Sequence, residues 1–218
     1  MTVSDPLDHE HIDLVFAVSA SSTDAEVTLQ LMKDTLQSIM STHGTGNIHY
    51  TVISYGAQTR RIVDFQDRFP DEEALIKQLQ SLIAVSGTPD LDLALDEAKK
   101  VFEGPGARPN ARKILIFLVD NKSGSTEEDV LKSAMSLERE GVKVISVGIG
   151  SQVNREELQK TTPYKKNVLE VPAKENPETL GKKITNKIRE SKLSILFYLT
   201  ATYTSSIIHS GLPLITQS

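Results

Sequence analysis

The feature that most constrains the fold is the apolar run from Ile12 to Val18, which only Asp13 interrupts. A short run without polar alternation is typical of a β-strand that is buried on both faces of a sheet. A second run of the same kind, KILIFLV, spans Lys113–Val119. Two such strands predict a sheet that lies inside an α/β protein, with helices covering both of its faces.

Helical and strand patterns alternate along the rest of the chain. Apolar residues recur at helical spacing in the segments 24–42, 71–83, 89–103, 125–140, 154–161 and 177–190. Further β-rich segments are 48–54, 59–65, 142–149 and 167–171. A short turn joins 48–54 to 59–65, which indicates an antiparallel hairpin, and the charges in 59–65 suit a sheet edge. We therefore predict a Rossmann-like, doubly wound α/β fold, in which the central sheet is mostly parallel with one antiparallel edge strand.

Composition restricts the organisation and the function class. The chain has 218 residues, a net charge of −5 and no cysteine. Its basic residues are scattered, which argues against a nucleic-acid partner, and disulfides and thiolate metal sites are excluded. We expect a polar lead over 1–11, one domain over 12–191 and a Ser/Thr-rich apolar tail over 192–218, with no Asp, Glu, Lys or Arg from Leu193 on. A membrane anchor is the alternative for this tail, but its apolar core is shorter than the roughly 20 residues a span needs.

Hydroxyl and carboxylate side chains follow the predicted strands and lie in three loops. These residues are Ser19, Ser21, Thr23, Thr88 and Asp120. Because ligands bind at the carboxyl ends of strands in open α/β sheets, we expect the three loops to meet at one edge. Each residue also has a purely structural interpretation. The serines and threonines suit helix N-caps, with Thr88 capping a helix whose first residue is Pro89, and Asp120 suits the start of a turn.

The segments that carry these residues resemble a von Willebrand factor type A domain. They are DLVFAVSASST, SGTPDLDLAL, KILIFLVDN and LEREGVKVISVGIG, and the similarity covers about residues 11–190. The chain is most similar to the A domains of extracellular-matrix proteins such as collagen VI. In that family three loops build a metal-ion-dependent adhesion site from Asp-x-Ser-x-Ser, a Thr and an Asp. By position, the resemblance implies a Mg²⁺ site formed by Ser19, Ser21, Thr23, Thr88 and Asp120.

This chain departs from the family pattern at Ser19, which stands where the family has its first Asp. Mg²⁺ prefers oxygen ligands and usually takes one or two carboxylates. Asp120 is then the only formal negative charge at a matching position, so the sequence predicts a degenerate site with weakened affinity. A carboxylate from a partner would supply the missing charge, as it does in complete sites of this family.

The resemblance implies a non-catalytic protein-interaction or adhesion module that is extracellular and binds a matrix protein such as collagen. One alternative is an intracellular scaffold, because residues 1–11 lack the regions of a signal peptide; otherwise the sequence is a fragment without its export signal. A second alternative is a phosphate-using α/β enzyme, since the loop after Val18 precedes a helix N-terminus. That loop contains no glycine, which hinders close approach to phosphate. The sequon at Asn121 would place a glycan beside Asp120 in a secreted protein.

Overall fold

A computed structural model describes residues 10–19, 25–83, 87–162 and 164–190. In chain order, its elements are β1 (Ile12–Val18), α1 (Ala25–His43), β2 (Ile48–Tyr55), β3 (Thr59–Val63), α2 (Glu72–Leu79), α3 (Leu91–Glu103), β4 (Arg112–Val119), α4 (Glu127–Arg139), β5 (Lys143–Ile149), α5 (Arg155–Lys160), β6 (Val168–Val171) and α6 (177–190). Among these described residues, no helix is both long enough and apolar enough to cross a bilayer. The predicted tail lies outside the described residues.

The strands form one six-stranded sheet in the order β3-β2-β1-β4-β5-β6. All neighbouring strands run parallel except β3, which pairs antiparallel with β2 at the edge. The predicted fold class is therefore confirmed. Strand β3 ends at Val63 rather than at the predicted Phe65, because Asp64 and Asp67 close a turn in which the Asp64 amide donates to the Asp67 carboxylate at 2.8 Å.

Two hydrophobic cores cover the two faces of the sheet. Leu14 and Phe16 of β1 pack on the face covered by α1, α2 and α6, whereas Val15 and Ala17 pack on the face covered by α3, α4 and α5. Every residue of β1 is buried, because helices cover both sides of this central strand. This double burial is the physical reason for the apolar run in the sequence.

Asp13, the one charged residue of β1, is fully buried in an ion pair with Arg108. The Arg108 Nε donates to Asp13 Oδ1 at 2.8 Å, and the Arg108 backbone amide donates to Oδ2 at 2.7 Å. Arg108 Nη2 also donates to the carbonyls of Ile12 and Asn47. Because Asp13 lies at the start of its strand, this pair belongs to the amino edge of the sheet, opposite the candidate site, and its role is structural.

The direction of the connections between strands reverses at the carboxyl ends of β1 and β4. The connection after β1 leads to β2 on one side of β1. The connection after the β2–β3 hairpin leads to β4 on the other side of β1. Such a reversal is where open α/β sheets bind ligands. The Ser19 amide donates to the Leu118 carbonyl at 3.0 Å, which extends the pairing of β1 with β4 by one residue. Asp120 follows β4 directly, so the first and third predicted loops begin on neighbouring strands.

Candidate functional site at the carboxyl edge of the sheet

Ser19 ends the central strand and is fully buried. Its Oγ has no hydrogen-bond partner among the described residues. A buried hydroxyl without a partner costs roughly 1–3 kcal/mol, and such groups are rare enough in folded proteins that each requires an explanation. Ser21 and Thr23, the other two hydroxyl residues predicted for this loop, lie outside the described residues.

Asp120 is also almost completely buried, with 1% of its surface exposed. Tyr55 lies beside it in the core, where the Tyr55 hydroxyl donates to the Leu118 carbonyl at 3.2 Å and its ring stacks on Phe117 at 5.2 Å. Burial, and to a smaller extent the charge of Asp120, raises the pKa of Tyr55 well above its ordinary value. The phenol therefore stays neutral, and the formal charge at this position comes from Asp120.

Thr88 is exposed and does not cap α3, which corrects the N-cap predicted from the sequence. The N-cap is Asp90, whose carboxylate accepts a hydrogen bond from the Leu93 amide at 2.9 Å. Pro89 therefore precedes the helix instead of beginning it. A carboxylate is favoured here because it satisfies a free amide and also opposes the positive end of the helix dipole.

The second and third loops contact each other directly. The Pro89 carbonyl accepts from the Gly124 amide at 2.9 Å and from the Ser123 hydroxyl at 3.1 Å. A side chain on Gly124 would place its Cβ 3.2 Å from Thr88 Cγ2, so glycine permits this close approach. The structure thus holds the Thr88 loop against the loop that begins at Asp120.

Gly87 fixes how the chain enters the second loop. Its φ is +94°, in the region that favours glycine, and a Cβ at this position would lie 2.7 Å from Ala57 Cβ. The Gly56 carbonyl accepts from the Asp90 amide at 3.0 Å, which ties the same loop to the β2–β3 turn. Thr88 is therefore held from both sides by backbone contacts.

The sequon at Asn121 contains a serine that the fold already uses. Ser123 is buried, donates to the Pro89 carbonyl and accepts from the Ser125 amide at 2.9 Å. Asn121 Oδ1 accepts from the Lys122 amide at 2.8 Å. Ser123 therefore has a structural reason to be present, and glycosylation of Asn121 stays a prediction.

The oxygen donors at this edge match Mg²⁺ in type but not in charge. Ser19 and Thr88 offer neutral hydroxyls and Asp120 one carboxylate, whereas Mg²⁺ is held mainly through carboxylates and water. Within the described ranges, no three His, Cys, Asp or Glu side chains come together to hold a metal. These residues therefore fit only a weak cation site.

A pocket lies beside Asp120, and no motif in the sequence indicates it. It has a volume of about 450 Å³ and lies at the carboxyl ends of β4, β5 and β6, with Asp120, Gly150 and Glu170 among its lining residues. The Gly150 amide donates to the Val171 carbonyl at 2.9 Å and joins the loops after β5 and β6. No motif marks Glu170 in the sequence, and only the order of the strands brings it near Asp120.

Comparisons with known proteins agree with this architecture. The family model of the von Willebrand factor type A domain matches residues 13–182. The collagen alpha-6(VI) chains of Mus musculus and Homo sapiens are each 27% identical over 148 residues, which is 66% of this chain and 6% of the collagen chain. This chain therefore matches only a small part of those relatives.

A solved structure of proximal thread matrix protein 1 from the mussel byssus has the same fold. Its TM-score is 0.73 at 23% sequence identity, covering 82% of this chain and 48% of the mussel chain. A second structure of that protein, with a TM-score of 0.73 and 22% identity over the same shares of the two chains, has zinc in its metal-ion-dependent adhesion site.

Proposed function

We propose a function from one premise: the chain belongs to the von Willebrand factor type A domain family, whose model matches residues 13–182. In this proposal, residues 12–191 form a non-catalytic adhesion module that binds a protein partner through the carboxyl edge of its sheet. The observation that carries it is the joining of the Thr88 and Asp120 loops beside Ser19 at the switch point. Ligands bind at this place in open α/β sheets.

The matrix proteins among the relatives support an extracellular, matrix-associated role. The collagen alpha-6(VI) chains are collagens, and the mussel protein, which shares the fold, is named a thread matrix protein. A matrix protein such as collagen is therefore the partner class to test first. The intracellular scaffold remains the alternative, and it differs in location rather than in the binding edge.

The metal site of this module is proposed to be degenerate. Ser19, Ser21, Thr23, Thr88 and Asp120 would hold Mg²⁺, and the ion would supply positive charge for a carboxylate of the partner. Since Ser19 contributes a neutral hydroxyl where the family has a carboxylate, we expect low affinity in the isolated chain. The unpartnered Ser19 hydroxyl supports this assignment, because a bound cation would satisfy it.

Isothermal titration of the full chain with Mg²⁺ and Mn²⁺ tests the metal proposal. Ser19→Asp restores the second carboxylate and is expected to bind at least about tenfold more tightly than the original chain. Asp120→Ala should remove what binding there is. If Ser19→Asp gains nothing, Ser19 does not occupy the position of the missing ligand, and the degenerate-site proposal is wrong.

Binding to immobilised collagens tests the adhesion proposal and its location on the molecule. Thr88→Lys adds a long charged side chain at an exposed position of the carboxyl edge and should weaken binding at least about tenfold, as for a residue at the centre of an interface. Asn110→Lys makes the same charge change at an exposed position before β4, at the amino edge, and should leave binding unchanged. Equal binding by both variants would place the contact elsewhere.

Charge argues against the phosphate-using enzyme. A phosphate bound at Ser19 would lie at the end of β1 next to β4, which the buried carboxylate of Asp120 follows, and like charges in a poorly solvated site repel strongly. Turnover of a nucleotide by the purified chain would overturn this conclusion.

A further inference from the structure

Ser125 lies just before α4, but its side chain does not cap that helix. The N-cap of α4 is Thr126, whose hydroxyl accepts a hydrogen bond from the Asp129 amide at 3.2 Å. The Ser125 hydroxyl instead donates to Asp90 Oδ1 at 2.8 Å and accepts from the Asp92 amide at 3.2 Å. A hydroxyl has one donor and two acceptor positions, so both bonds can form at the same time. Ser125 therefore binds the start of α3, which lies 35 positions earlier in the chain.

The amino end of α3 is completed by side chains from two different loops. A helix begins with amides that have no carbonyl partner inside the helix. The Leu93 amide donates to Asp90 Oδ1 at 2.9 Å, and the Asp92 amide donates to the Ser125 hydroxyl. Asp90 caps its own helix, whereas Ser125 belongs to the loop that begins at Asp120. The third loop is therefore bound to the first turn of α3.

The bonds of Ser125 reinforce the backbone contact between the two loops. The Gly124 amide and the Ser123 hydroxyl both donate to the Pro89 carbonyl. The Ser123 hydroxyl also accepts from the Ser125 amide at 2.9 Å. The bond from Ser125 to Asp90 adds a charged acceptor to this set, and such bonds are roughly twice as strong as neutral ones. The loops are thus fastened on both sides of the Pro89 carbonyl.

We infer that Ser125 is a positioning residue of the adhesion site, which holds the Thr88 loop and the Asp120 loop in one arrangement. Ser125 acts through Asp90, which follows Thr88 by two residues. Without the hydroxyl, the Asp90 carboxylate loses a donor and the Asp92 amide loses its acceptor, so the two loops separate more often. The inference rests on the proposed function, because it concerns the arrangement of the same edge of the sheet.

Hydrogen exchange of the full chain, followed by ¹⁵N NMR, tests the inference at an amide to which the Ser125 hydroxyl is not bonded. The Gly124 amide joins the two loops through the Pro89 carbonyl, so its exchange rate reports how often they separate. In Ser125→Ala this rate should rise at least about tenfold, as for loss of a bond to a charged group. The Phe117 amide in the buried strand β4 reports global unfolding and should change by a smaller factor. An equal change at both amides would mean that Ser125 only stabilises the whole domain, and would overturn the inference.

Two further variants separate the role of the hydroxyl from a general effect on helix packing. Ser125→Thr keeps the hydroxyl and should keep the Gly124 exchange rate close to the original. Ser136→Ala is the matched control, since the Ser136 hydroxyl also joins α4 to α3 by accepting from Lys99 Nζ at 2.9 Å, but it lies about three helical turns away from the loops. This control should leave Gly124 exchange unchanged. The inference is refuted if Ser136→Ala accelerates that exchange as much as Ser125→Ala, or if Ser125→Thr behaves like Ser125→Ala.

Mg²⁺ titration of chains that carry Ser19→Asp relates Ser125 to the site itself. Adding Ser125→Ala should weaken Mg²⁺ binding about tenfold, as for residues that orient metal ligands, whereas adding Ser136→Ala should not. If Ser19→Asp gains no Mg²⁺ binding, the degenerate-site proposal is wrong, and Gly124 exchange decides whether Ser125 holds the loops. If Ser19→Asp gains binding that does not respond to Ser125→Ala, the metal proposal stands and the inference about Ser125 is wrong.

Discussion

Replacing Arg108 with methionine should destabilise the protein severely, although Arg108 lies far from the candidate site. The change removes the guanidinium that pairs with Asp13 at 2.8 Å and donates to the carbonyls of Ile12 and Asn47, while keeping an apolar stem. Asp13 is fully buried and, of its bonds to described residues, would keep the one from the backbone amide of residue 108. Breaking a buried ion pair in this way costs about 3–5 kcal/mol.

That loss is a large fraction of the total stability of a domain, which is typically about 5–15 kcal/mol. Because one bond to Asp13 survives, we expect the lower end, about 3 kcal/mol, and a fall in Tm of about 6–12 °C for a domain of this size. Urea and thermal unfolding followed by circular dichroism measure both quantities. Arg155→Met is the matched control, since its ion pair with Glu170 is exposed and should contribute less than about 1 kcal/mol.

A double variant separates the charge from the packing. Asp13→Leu combined with Arg108→Met removes both charges and should recover most of the stability, because no buried charge is left unpaired. If Arg108→Met alone is within about 1 kcal/mol of the original chain and equal to the control, the reasoning about the buried pair is refuted.

Three further predictions follow from single contacts. Burial, and then the charge of Arg112, lowers the pKa of Lys143 to about 8, so the folded state releases a proton that the unfolded chain still holds. The free energy of unfolding should therefore rise as the pH increases from about 8 towards 10, and in Lys143→Met denaturation curves this rise should be absent. Gly87→Ala should lower the free energy of unfolding by about 1–3 kcal/mol, because φ is +94° and the new Cβ would clash with Ala57. The clash should also move the Thr88 loop, so NMR shifts of that loop should change, and unchanged shifts would contradict the prediction. Asp90→Ala removes the N-cap of α3 and should lower the free energy of unfolding in urea by about 1–2 kcal/mol. An unchanged free energy of unfolding would show that the Asp90 cap does not stabilise α3.

Local patterns were sufficient to predict the layers of the fold. The apolar runs of β1 and β4 indicated strands buried on both faces, and the structure buries every residue of β1. The charged residues Arg60 and Arg61 indicated an edge, and β3 lies at the edge. These predictions succeed because the spacing of apolar residues over a few positions indicates whether one face or both faces of a strand are buried.

The candidate site was predictable only as a set of loops. The hydroxyl residues after β1 and the carboxylate after β4 could be placed at one edge, because parallel strands end on the same side. The N-cap predicted at Thr88 was wrong, since Thr88 and Asp90 are both good N-cap residues by type and lie only two positions apart. In the structure the Pro89 carbonyl accepts a hydrogen bond from the neighbouring loop instead of from an amide of α3, and α3 begins after Pro89.

By itself, the sequence determined which segments are buried, and it placed Ser19 and Asp120 directly after strands that end at the same edge of the sheet. Only the tertiary structure decided which distant groups meet. Asp13 pairs with Arg108, which lies 95 positions away in the chain. Asp120 and Glu170 line one pocket because β4, β5 and β6 lie next to one another in the sheet. The physical reason is that burial is a property of short segments, whereas pairing of charges depends on the order in which the strands assemble, which no local period records.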